Sequence, residues 1–160
     1  MKLDKTDKLI LEIIQEDGRI TNAELAKRVG LSPAPTLERI KKLERAGIIM
    51  GYHAKLSPSR IGIGIQTFVE ISLSKHDNDS IVSFVDAVQA YPEIIGCYHT
   101  TGRSDFLLRV SVKDMVAYEE FLLHKLTALP KLQHVETMII LSNYKEQNMF
   151  PIYIDDSNGK

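Results

Sequence analysis

Apolar positions recur at helical spacing through the first third of the chain and switch to strand spacing beyond residue 63. Leu9, Ile10, Ile13 and Ile14 form one stripe, with Asp4 as a candidate cap and Asp7 in the first turn, so a helix is predicted over residues 3 to 17. Thr21 and Glu24 have capping-box spacing, and Leu25, Ala26 and Val29 share a face, which predicts a second helix opening at Asn22. Gly30 suits its left-handed close, and Ser32 followed by Pro33 signals a third helix, Ser32 being the expected capping hydroxyl. Two short helices around a glycine turn, with a helix upstream, predict a helix-turn-helix.

Residues of the third helix lie about 100° apart around its axis. Leu37, Ile40 and Leu43 cluster on one side with Thr36 at the border. Ala34, Pro35, Glu38, Lys42 and Arg45 take the other side, flanked by Arg39 and Lys41. Small residues at the start admit a helix to the major groove, and cations farther along neutralise phosphates. A solvated Glu38 to Lys42 ion pair is the plain alternative. Gly47 to Tyr52 has β character and is expected to leave the helical unit as a strand, and Ser57 to Gly62 ends a linker.

Farther on, Ile65, Thr67, Val69, Ile71 and Leu73 alternate as a strand, and Ile81, Val82, Phe84, Val85 and Val88 stripe a helix from Asp79 to Ala90 ahead of Pro92. Ile94 to Thr100 and Phe106 to Val112 form a hairpin around Thr101-Gly102-Arg103-Ser104-Asp105. Asp114 caps a helix to about Leu126, and Val135 to Leu141 is the last strand. The order β-α-β-β-α-β predicts a ferredoxin-like sandwich. The fold class is therefore α+β. Four segments are expected: a helix-turn-helix unit over 1–50, a linker strand and turn over 51–62, a βαββαβ domain over 63–143 and a tail over 144–160. The free sheet face carries Phe68 and either Cys97 or Tyr98, enough apolar surface to call for a second copy.

Charge sharpens this division. The net charge of −1 argues against nucleic acid, but residues 1–55 hold 11 Lys and Arg against 8 Asp and Glu, and the remainder 9 against 13. The positive end coincides with the predicted helix-turn-helix. With one cysteine there is no disulfide framework, and Cys97 in its apolar run is expected to be a small core residue. No apolar run reaches the roughly 18 residues of a membrane span and no secretory leader pattern stands out, so a cytoplasmic protein is expected. His53, His76, His99, His124 and His134 lack paired metal-ligand spacing, and neither a phosphate loop nor a nucleophile motif appears, so no metal or cofactor is expected.

Taken together, Leu3-Asp4-Lys5-Thr6-Asp7, Asp17-Gly18-Arg19-Ile20, Glu24-Leu25-Ala26, Leu31-Ser32-Pro33-Ala34-Pro35, Gly47-Ile48-Ile49, Gly51-Tyr52, Cys97-Tyr98 and Thr101-Gly102 with Asp105 resemble the Lrp/AsnC family of feast/famine transcriptional regulators. The resemblance implies a DNA-binding helix-turn-helix, a ligand-binding βαββαβ (RAM) domain that dimerises and assembles into octamers or similar rings, and an amino-acid effector. The start and outward side of the third helix give the expected DNA contacts, Ser32, Ala34, Pro35, Glu38, Arg39, Lys41, Lys42 and Arg45, and the resemblance places the effector against Thr100, Thr101, Gly102, Arg103, Ser104 and Asp105. Gln133 and Thr137 are added as polar wall residues. In that turn Gly102 allows close backbone approach to a carboxylate, while Asp105 either accepts from an ammonium or fixes the hairpin. The chain departs from the family at Arg103, where an acid is frequent, and at Pro130-Lys131-Leu132, where Pro-Gly-Val is usual. Enzyme activity is not expected. Two alternatives are a tetrapyrrole decarboxylase on the same two-domain plan, recruiting His99, Arg103 and Arg109, and an architectural DNA-wrapping protein without effector.

Overall fold

A computed structural model describes residues 1–146 and 149–154. The chain divides into two compact units. One comprises residues 1–55 with the described residues from 145 onward, and the other residues 56–144.

The first unit holds α1 (Lys5–Glu16), α2 (Asn22–Val29) and α3 (Pro33–Arg45). Asp4 caps α1 by a reciprocal box: its Oδ1 accepts from the Asp7 amide at 2.8 Å, and Asp7 Oδ2 accepts from the Asp4 amide at 3.2 Å. At α2, Thr21 Oγ1 accepts from the Glu24 amide at 3.2 Å, and Gly30 closes the helix at φ 70°. Ser32 is the α3 N-cap residue but makes no side-chain cap bond; Pro35, at the third position, lacks one of the two amides such a cap would serve. Ile10, Leu11, Ile13, Leu25 and Leu43 form the core of the unit. Each such side chain contributes about 1.5–3 kcal/mol on burial.

The strand expected after α3 is absent. Gly47, at φ 68°, turns the chain so that the amides of Ile48 and Ile49 both donate to Leu43 O, at 3.0 and 3.3 Å, which closes α3 and withdraws those donors from any ladder. Part of the tail returns to this unit. The Phe150 amide donates to Gln15 Oε1 at 2.7 Å, Gln15 Nε2 donates to Phe150 O at 3.1 Å, and Ile152 packs on the core. Gln147, Asn148 and residues 155–160 of the expected tail lie outside the described residues.

The second unit runs β1 (Ile65–Leu73), α4 (Asn78–Val88), β2 (Ile94–His99), β3 (Phe106–Val112), α5 (Met115–Phe121) and β4 (Leu132–Ile139). Its sheet is antiparallel in the order β2-β3-β1-β4. Alternation in β1 and β3 buries Val69, Ile71, Leu73, Phe106, Leu108 and Val110 against Phe84 and Val88 of α4 and Tyr118 and Phe121 of α5. Both helices therefore lie on one face. Asp77 caps α4, which begins at Asn78, one residue earlier than expected, and β4 begins at Leu132 rather than Val135. A π-helical turn over Leu122–Leu126 continues α5.

Register settles the Cys97 and Tyr98 choice. Cys97 lies opposite buried Leu108 and packs on the core, whereas Tyr98 lies opposite Leu107 on the uncovered face. Burial raises the pKa of the Cys97 thiol, in keeping with a core role.

Candidate nucleic-acid interface and effector pocket

On α3, Thr36 and Leu43 are buried, and the Thr36 hydroxyl donates to Ser32 O at 3.0 Å. Ser32, Ala34, Pro35, Glu38, Lys41, Lys42 and Arg45 are all exposed. Lys41 pairs loosely with Glu38 at 3.5 Å, so the surface ion pair is an i,i+3 pair and not the Glu38 to Lys42 pair considered from sequence. Asn22 Nδ2 donates to Pro33 O at 2.9 Å and pins the start of α3 to the start of α2. The outcome is a helix whose free side begins with small residues and ends with cations.

Two residues differ from expectation. Arg39 is placed among the DNA contacts by sequence, yet its Nη1 lies 2.7 Å from both Asp4 Oδ2 and Asp7 Oδ1, the latter on a side chain only 5% exposed. At 100° per residue Arg39 falls about 60° from Thr36 on the buried side, which turns it toward α1. Burial opposes ionisation of Asp4, but the Asp7 amide and the Arg39 guanidinium outweigh it and hold the Asp4 carboxyl below its ordinary value. Hydrogen bonds to the same carboxylates raise the Arg39 pKa. Leu37, expected in the core, is 40% exposed. It lies about 100° from Thr36, at the edge of the outward face.

The hairpin turn between β2 and β3 is held by polar contacts. Thr100 N donates to Asp105 O at 2.9 Å, and Thr100 Oγ1 to Ser104 O at 2.9 Å. Gly102 sits at φ 144°, a conformation that favours glycine. Asp105 Oδ2 accepts from the Leu73 amide at 2.7 Å, and Oδ1 lies 2.9 Å from His76 Nδ1. Its carboxylate thus fastens the turn to the end of β1, which favours the hairpin-fixing role over the ammonium acceptor. Thr100, Thr101, Gly102, Arg103 and Ser104 line a cavity of about 210 Å³ with Phe106, Leu107 and Glu70. Ser104 Oγ donates to Glu70 Oε2 at 2.8 Å. Sequence reasoning missed Glu70, although its place on the outward parity of β1, beside Phe68, was available. Gln133 and Thr137 do not line this cavity. Thr137 Oγ1 is 2.6 Å from the Tyr118 hydroxyl on the helix-covered face, and Gln133 is exposed at the irregularity opening β4.

The comparisons with known proteins follow this two-part layout. Residues 3–50 match the family described as winged helix-turn-helix DNA-binding, and residues 66–150 match the Lrp/AsnC ligand binding domain. The chain belongs to the Lrp/AsnC family. Leucine-responsive regulatory proteins of Klebsiella pneumoniae and Escherichia coli (strain K12) are each 43% identical over 150 residues, covering 94% of this chain and 92% of the relative. A transcriptional regulator of Neisseria meningitidis solved as an L-Met complex superposes with TM-score 0.88 at 39% identity, covering 94% of this chain and 97% of that one. E. coli AsnC gives TM-score 0.86 at 29% identity, covering 94% and 100%.

This Lrp/AsnC chain is an α+β transcriptional regulator with a helix-turn-helix unit and a ligand-binding unit. The decarboxylase alternative gains no support from geometry. His99 stacks on Phe106 at 4.9 Å on the helix-covered side, whereas Arg109 lies opposite Phe68 on the other face, so the two do not converge. Among the described residues no helix is long and apolar enough to cross a membrane.

Proposed function

We propose that Ala34, Pro35 and Glu38 of α3 face base edges while Lys41, Lys42 and Arg45 contact phosphates, with Ser32 at the entry of the helix and Arg39 excluded from the contact set. The observation that carries this reading is the exposure of the whole Ala34 to Arg45 outward face, while the inward face is buried or ion-paired. Leu37, at the edge of that face, suits apolar contact with a thymine methyl. The division of labour follows the two units: residues 1–50 bind DNA, and 63–143 bind effector and assemble. The tail is assigned to neither task.

The cavity at the Thr100 to Asp105 turn takes an amino-acid effector. The E. coli and K. pneumoniae relatives are named leucine-responsive, and the N. meningitidis regulator was solved with L-Met, so an apolar amino acid is the first choice here. Its ammonium goes to Glu70 rather than Asp105, and its carboxylate to Arg103 and backbone amides of the turn. At about 210 Å³ the cavity is smaller than the roughly 300–1,000 Å³ of ordinary ligand sites, which fits a site completed by a second copy.

Dimers form through the sheet face that carries Phe68, Tyr98, Leu107 and Met138, and dimers assemble further into an octamer or similar ring. Two recognition helices then reach half-sites about 34 Å apart, or a ring wraps several such sites, in the cytoplasm and without catalysis.

A thermal-shift screen of the twenty amino acids tests the effector assignment. One or a few apolar amino acids should raise Tm in the wild type, and Glu70→Gln and Gly102→Trp should each reduce the shift. A shift unchanged in both variants would overturn the assignment.

A further inference from the structure

At the opposite end of the sheet from the hairpin turn, a second cavity of about 430 Å³ opens between the end of β3, the residues leading into β1 and β2, and α5. A strand of seven residues separates the two ends by about 20 Å, so this is not an extension of the turn cavity. Its volume lies inside the range of ordinary ligand sites, which the turn cavity does not reach.

The chemistry of the lining is specific. Ile63, Val112, Ala117 and Phe121 supply an apolar floor. Over it, Lys125 Nζ donates to Glu93 Oε1, while Glu93 Oε2 is buried without a hydrogen-bond partner. Lys125 stands on the π-helical turn Leu122–Leu126, a distortion of α5 that carries both His124 and Lys125 to the cavity. Such turns concentrate at functional sites because they re-aim side chains at the expense of regular hydrogen bonding. Glu93 and Lys125 neutralise each other, which leaves Lys113 and Glu120, both exposed at the rim, as charges of opposite sign.

We infer that this cavity is a second ligand site in the βαββαβ domain, taking a small zwitterion with an apolar side chain. The carboxylate pairs with Lys113 and the ammonium with Glu120, and the side chain lies on Phe121 and Val112. Neither a monocarboxylate nor an amine alone satisfies both rim charges. The inference does not depend on which ligand the hairpin turn accepts.

The test is calorimetric titration of the full chain with L-leucine, 4-methyl-2-oxopentanoate and 3-methylbutylamine, using wild type, Lys113→Met, Glu120→Gln and Gly102→Trp. Lys113 and Glu120 are exposed, so their variants are expected to fold. Wild type should bind two L-leucine per chain and Gly102→Trp one. The rim variants should weaken that remaining site about tenfold or more when combined with Gly102→Trp, and the two analogues should bind it at least tenfold more weakly than L-leucine. One site per chain that Gly102→Trp removes would overturn the inference and leave the turn assignment standing. One site that Gly102→Trp leaves intact and the rim variants weaken would support the inference and overturn the turn assignment. Binding indifferent to the rim variants, equal binding of the oxo acid, or no L-leucine binding would each overturn the inference.

Discussion

Arg39 on the recognition helix lies 2.7 Å from the buried carboxylate of Asp7, and through it α3 is fastened to the capped start of α1. A cation in the middle of a helix assigned to DNA is therefore part of the frame that aims the helix. Arg39→Ala should leave Asp7 buried without its partner and lower the stability of the first unit by about 1–3 kcal/mol, with the ranking of DNA sequences unchanged. Denaturant unfolding together with competition binding separates the two effects; a changed sequence ranking at unaltered stability would return Arg39 to the DNA contacts.

The same cluster gives a pH dependence with a defined sign. The folded Asp4 carboxyl titrates below its ordinary 3.8. A depressed folded pKa contributes stability above the unfolded value, and that contribution is lost as pH falls through the folded one. Wild type should therefore lose stability below about pH 4 more steeply than Asp4→Asn. Unfolding curves at pH 3 to 6 check this, and parallel slopes would contradict it.

Lys131 occupies a left-handed position, φ 61°, at the turn where the resemblance leads one to expect glycine. A side chain there costs about 1–2 kcal/mol, against about 0.5–1 kcal/mol for the extra unfolded-state entropy of glycine. Lys131→Gly should thus stabilise the second unit by about 0.5–1 kcal/mol, read as a raised Tm or denaturant midpoint.

Local signals were the legible ones. The Asp4 cap, the Gly30 close and the strand alternation of β1 and β3 are decided within a few residues, and the structure has them. What sequence left open depends on distant partners. The ion pair of Arg39 needs Asp7 on another helix, and the choice between the two readings of Asp105 needs the Leu73 amide on the neighbouring strand. The strand after α3 failed because the Gly47 turn consumes its donors, a competition that β propensity does not register. Thr137 was a matter of parity: two residues from Val135, it shares the covered face.

The Gln15 to Phe150 pair spans 135 residues and no periodicity foretells it. Gln15→Ala removes both hydrogen bonds at an exposed site and should cost the first unit about 1 kcal/mol or less, whereas Ile152→Ala removes core contact and should cost more. Equal stability of wild type and Ile152→Ala would show that the tail contributes nothing to the core of the first unit.

The central claim is that the outward face of α3 neutralises phosphates. It is tested most directly by the salt dependence of DNA affinity in wild type and Lys42→Ala/Arg45→Ala. With about three phosphates neutralised by each of two helices, log affinity against log salt should have a slope near −5, falling to about −2 in the double variant, where only Lys41 remains on each. A wild-type slope near zero, or a slope untouched by the double substitution, would contradict the account.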